Sequence, residues 1–140
     1  MSTNILTMTG LLTFWSGSMD NPDLSCPEGL SAAGRKAYEV IMGVLKDAEM
    51  TYTGGCKAFY SPKEWADRGE EYGLKSELIV VYDGGSVGRC FSLDADMMSG
   101  YVFTTRMHEA LAEIGMFPEE CRGWYAAIYL DEPWKPCHVR

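Results

Sequence analysis

The chain is poor in positive charge and in the residue types on which most active-site chemistry depends. Twelve lysines and arginines stand against 20 aspartates and glutamates, a formal net charge of −8 at pH 7. So acidic a surface is repelled by phosphate backbones, which disfavours direct binding of nucleic acid. Histidine occurs twice, at His108 and His138, so a histidine-dependent mechanism has few options. The cysteines Cys26, Cys56, Cys90, Cys121 and Cys137 are odd in number and widely spaced. No CxxC pair exists among them, which argues against a zinc ribbon or a thioredoxin-type centre. Long apolar runs are missing as well. Leu78 to Tyr82 is among the longest and is far too short to cross a bilayer. The opening MSTNILTMTGLLTFWSG has no positive residue before its apolar patch. It is a poor export signal, so a cytoplasmic protein with reduced thiols is expected.

What is present suits a globular domain. Apolar residues make up 46 % of 140 residues and charged residues 23 %. The expected division is an N-terminal extension over residues 1–29, one α+β domain over 30–132 and a tail over 133–140. Pro22 and Pro27 interrupt regular structure in the extension. Leu11, Leu12, Phe14 and Trp15 are its candidate anchors over an apolar patch.

Within the domain, Ser31 reads as the N-cap of a helix with its apolar stripe at Ala33, Ala37, Val40, Ile41, Val44, Leu45 and Ala48. Gly34 and Gly43 weaken it by about 1 kcal/mol each relative to alanine, and they permit close approach of another element. Gly54 and Gly55 read as a turn before a strand, Cys56–Tyr60, with Ala58 and Tyr60 on one face. The run Ser61-Pro62-Lys63-Glu64 is a capping box that opens a short helix, which Gly69 ends. Leu78–Tyr82 is apolar on both faces and reads as a strand buried on both sides. Asp83–Gly85 turns the chain into a return strand, Arg89–Leu93. A long helix is expected from Met97 to Ile114, capped by Asp96 or Ser99 and stopped at Gly115, with Pro118 preventing continuation. Gly123–Leu130 is the last strand.

The predicted fold is α+β. A four-stranded, mainly antiparallel sheet carries two long helices and one short one, in a ferredoxin-like (split β-α-β) arrangement or a rearranged variant, preceded by an extra N-terminal helix. One strand strains this scheme. The split topology puts the second strand at an edge, yet Leu78–Tyr82 reads as central. A rearranged sheet, or an edge covered by the N-terminal segment or a partner chain, resolves the conflict.

The candidate chemistry is thin, and each candidate has a structural alternative. Asp94 and Asp96 share a face of an extended segment and are candidates for a hard cation; the alternative is helix capping. Cys56 is a candidate nucleophile with His108 as its base; the alternative is a histidine at the edge of the core. Cys121 with Cys137 and His138 is a weak metal set, and tail residues explain the last two equally well. DGGSVG (Asp83–Gly88) looks like a phosphate loop, but it lacks GxGxxG and the P-loop Lys-Ser/Thr, and a hairpin turn accounts for it. Tyr125 and Tyr129 share a strand face and are candidates for a ligand cleft or a partner surface if that face is uncovered. The densest acidic stretch supplies Asp67, Glu70, Glu71 and Glu77 as candidate binding residues.

In size and acidity the chain resembles small accessory proteins of phages and mobile elements. No motif carries that likeness, and it transfers no active site. The function expected is therefore that of a non-enzymatic, inhibitor-like interaction module without a cofactor, docking on a protein with a basic surface. A small-molecule binder or small enzyme with an aromatic-lined pocket is the alternative. Self-association through a sheet edge is a third possibility.

Overall fold

A computed structural model describes residues 22–131. The anchors Leu11, Leu12, Phe14 and Trp15 lie outside them, as do Cys137, His138 and the whole expected tail. Of the expected extension, the described part holds a 3-10 turn at Pro22–Leu24. Leu24 is buried, and its carbonyl accepts from the Tyr38 hydroxyl at 2.6 Å.

Helix α1 spans Ala32–Ala48, and the Ser31 hydroxyl accepts the Gly34 N–H at 2.9 Å. Ala37, Ile41 and Leu45 turn inward and are fully buried. The two glycines of this helix do different work. A Cβ on Gly34 would lie 2.4 Å from the Glu77 carbonyl oxygen, whereas one on Gly43 would meet nothing within 4 Å. Both substitutions to alanine gain about 1 kcal/mol of helix propensity. Gly43→Ala should therefore stabilise the protein. Gly34→Ala should destabilise it by about 1–3 kcal/mol, because the helix must back away from the Glu77 backbone. Urea unfolding of the two variants checks this; equal shifts would show that the backbone contact is not what Gly34 serves.

The strands are β1 (Phe59–Tyr60), β2 (Leu78–Val81), β3 (Met116–Arg122) and β4 (Tyr125–Leu130). They form one antiparallel sheet in the order β1-β2-β4-β3. The second strand is thus interior, and all four of its residues are buried. This is the rearranged sheet that its two apolar faces require, not the split order with that strand at an edge. Leu78 and Val80 pack under the long helices with Ile41, Leu45, Met107 and Leu111. Ile79 and Val81 join Trp65, Tyr125 and Ala127 on the opposite face. Trp65 comes from the short helix α2 (Pro62–Asp67), whose capping box forms with both reciprocal bonds in place.

Three expected elements differ. The return strand Arg89–Leu93 is instead a 3-10 helix, Ser86–Cys90, followed by helix α3, Leu93–Asp96. Val87, Cys90 and Phe91 enter one core at steps of three and four, which the alternation of a strand cannot provide. The fourth strand is β3, in a stretch that reads as irregular because of Pro118. The Asp131 N–H bonds to the Gly115 carbonyl at 2.7 Å, and this phase points the backbone polar groups of Phe117 and Glu119 toward β4 and the backbone nitrogen of Pro118 to the open edge, while its ring stays buried. Proline is harmless there, and it removes a donor from the exposed edge. The expected helix Met97–Ile114 is broken: Met97–Ser99 is a 3-10 turn, and α4 spans only Val102–Ala112. The expected strand Cys56–Tyr60 shortens to its last two residues: Ala58 still accepts the Val81 N–H at 2.7 Å, but its own N–H leaves the sheet for the Asp23 carbonyl at 2.8 Å.

Candidate protein-docking surface

The break between α3 and α4 builds the most distinctive surface of the described residues. Ser92 caps α3, accepting the Ala95 N–H at 3.4 Å. At its end Asp96 is fully buried. Its Oδ2 accepts the Thr104 N–H at 2.7 Å and the Thr104 hydroxyl at 2.9 Å, and its Oδ1 accepts the Ser99 hydroxyl. The carboxylate therefore holds both ends of the turn and serves the start of α4. Burial alone would raise its pKa. The bonds from Ser99, from Thr104 and from the Phe103 N–H outweigh that and hold the carboxyl below the usual range.

Closing so short a loop forces two consecutive left-handed residues, Gly100 at φ 73° and Tyr101 at φ 67°. Glycine adopts this freely; for tyrosine it is uncommon and strained, and the Asp96 knot offsets the strain. The turn displays what a monomer ordinarily hides. Met98 is 91 % exposed, and Leu93, Met97, Tyr101 and Val102 are each between 43 and 56 % exposed. Five exposed apolar side chains thus fall within ten residues, on and beside a turn tied down from within by Asp96, and make an apolar projection from the helix break. Two of the five are methionines, whose flexible thioethers adapt to varied partner shapes.

The residues singled out in the sequence fall elsewhere and do not converge. Asp67 pairs with Lys63 at 3.0 Å, Glu70 with Arg68 at 3.5 Å and Glu71 with Arg122 at 3.7 Å. Glu77 accepts the Ser31 hydroxyl at 2.6 Å, at the start of α1. Each candidate acid thus has a local partner, and Glu77 stands apart from the other three. Tyr125 is buried beneath Trp65, with ring centres 4.9 Å apart, so its strand face is covered there. Tyr129 is half-buried and stacks on Phe117 at 5.7 Å.

Cys56 and His108 are not brought together. Cys56 packs on the Trp65 side of the sheet and donates its thiol proton to the Thr53 carbonyl at 3.0 Å. His108 is exposed on α4, over the other face. Burial pushes the thiols of Cys56 and Cys121 up, and that of Cys90 to about 11. All three are protonated at neutral pH, the wrong state for a nucleophile. Asp94 is exposed while Asp96 points inward, so the two do not share a ligand. Among the described residues no group of three or more His, Cys, Asp or Glu could hold a metal ion. Asp83–Gly88 is no phosphate loop; it interlocks with Tyr52–Gly55. A Cβ on Gly85 would lie 2.4 Å from the Tyr52 carbonyl oxygen, and one on Gly54 would lie 2.7 Å from that of Asp83. Gly54 and Gly85 let the two backbones touch, while Gly55 and Gly84, left-handed at φ 87° and 83°, turn the chain beside them.

The projecting turn is hidden in the sequence because Met97–Ile114 reads as one helix. A signal was present: Met97, Met98, Tyr101 and Val102 lie off the stripe of Phe103, Met107, Ala110, Leu111 and Ile114. Apolar residues on the wet side of a helix pattern either bind something or mark a break.

Fold and surface together define a four-stranded antiparallel α+β domain with an apolar projection at a helix break. Neither the protein-family models, nor the curated proteins, nor the solved structures contain a match to this chain.

Proposed function

We propose that this chain is a protein-binding module that inserts Leu93, Met97, Met98, Tyr101 and Val102 into an apolar recess on a partner with a basic rim. The observation that supports this reading is the exposure of all five side chains along Leu93–Val102, around a turn that the buried Asp96 carboxylate ties down. Such a surface costs solubility unless a partner covers it. Asp94 is the exposed charge within the turn, and the net charge of −8 favours a partner of opposite sign. Occupying such a recess blocks its other users, which is the inhibitor-like role expected from size and acidity.

The test places a photo-crosslinking residue at position 98 and, as a control, at position 109 on α4. A protein captured only from position 98 is then purified and titrated against the wild type and Met98→Glu. The variant should bind at least about tenfold more weakly, the loss of one central anchor. Its melting temperature should stay near that of the wild type, since position 98 touches solvent. An unchanged affinity would rule out the projection as the docking surface. Asp94→Lys should mainly slow association at low salt.

A further inference from the structure

We infer that the groove between α1 and α4 is a second docking site, which takes a basic amphipathic helix of a protein partner. Arg106, early on α4, bonds to Asp47, late on α1, and this pair closes one end of the groove. From there an open trough of about 480 Å³ runs between the helices, with Val40, Val44, Ala110 and Ile114 as its apolar lining. Two helical turns away, about 11 Å along the axes, Glu39 and Glu113 stand on its rims. Neither has an ion pair among the described residues. Lys36 is the other cation of the lining, so the open end carries more negative than positive charge.

Gly43 makes the trough more than an ordinary seam. It sits in the interior of α1, where alanine would be more stable by about 1 kcal/mol, and a Cβ there would meet nothing within 4 Å among the described residues. Unlike Gly34, it serves no close contact among the described residues. Its smallness deepens the trough floor and leaves room for something to lie in it. An apolar floor between two helices with carboxylates at the open end fits an amphipathic helix whose apolar stripe faces Gly43 and whose basic residues reach Glu39 and Glu113. This surface is separate from the Leu93–Val102 projection.

The experiment titrates the full chain with a fluorescein-labelled amphipathic peptide of leucine and lysine at helical spacing, with a leucine–glutamate peptide as control. The leucine–lysine peptide should bind saturably and the control should not. Gly43→Leu should weaken binding about tenfold or more by filling the floor, with Gly43→Ala intermediate. Glu39→Gln with Glu113→Gln should weaken it and flatten its salt dependence. Should Gly43→Leu prove unstable, that double variant decides. Met98→Glu should leave peptide binding unchanged, so failure here is independent of the first docking surface. Wild-type affinity in Gly43→Leu, or equal binding of the two peptides, overturns the inference.

Discussion

Trp65→Ala should cost about 3–5 kcal/mol, a large fraction of what holds a domain of this size together. Trp65 is the lid of the second core. It is fully buried, with ring centres 5.0 Å from Tyr60, 4.9 Å from Tyr125 and 5.8 Å from Trp124. The Arg68 guanidinium lies over its ring at 4.6 Å. Ile79, Val81 and Ala127 share this cluster with it, and Trp65 is its one tryptophan that is fully buried. Truncation leaves a void that a six-residue helix, pinned by its capping box, cannot collapse to fill. The melting temperature should fall by about 10–20 °C. Trp65→Phe should lose less than half as much, because the indole N–H has no partner of hydrogen-bond geometry among the described residues and phenylalanine removes that buried donor. Thermal unfolding of the pair separates the readings; equal losses would mean that the indole nitrogen matters and the ring volume does not.

Asp96→Ala should cost about 2–4 kcal/mol, combining a lost helix cap with buried donors left unpaired at Thr104. Exposed Asp94→Ala should fall within about 0.5 kcal/mol of wild type. The pH dependence has a definite sign. The folded-state pKa of Asp96 is depressed below its unfolded value, so its contribution is fully present above the ordinary aspartate range, near pH ~4. It is lost as pH falls through the depressed folded value. The wild type should therefore lose stability on acidification below about pH 4 more steeply than Asp96→Ala. Identical acid limbs for the two proteins would contradict the charged, hydrogen-bonded carboxylate. Amide hydrogen exchange at residues 97–102 should quicken in Asp96→Ala, since the knot is what holds Gly100 and Tyr101 left-handed. The docking affinity of the projection should fall with it.

Much of the architecture is legible in local chemistry. Ser31 and the Ser61–Glu64 box mark helix starts because their side chains satisfy backbone donors a few residues away, a matter of spacing alone. The double-faced apolar pattern of Leu78–Val81 points to an interior strand even against the split topology. Gly54 and Gly55 read correctly as a turn at positive φ, whereas Gly84 and Gly85 lead into a 3-10 helix and not the expected hairpin. The contact between the two pairs was not readable, because nothing in sequence ties residue 54 to residue 85. Asp96 was legible as a cap, but not as a cap for a helix six residues further on.

The amino-acid order by itself determined where helices start, which strand lies inside the sheet and that the chain is acidic, because capping and periodicity act over a few residues. Only the tertiary structure decided that Pro118 sits harmlessly on an outer edge, that Trp65 closes a second core and that the candidate acids are paired. It also decided that five apolar side chains around a buried carboxylate face outward. Each of these depends on which distant segments meet, and long-range contact is set by the packing of the whole chain, to which no local window has access.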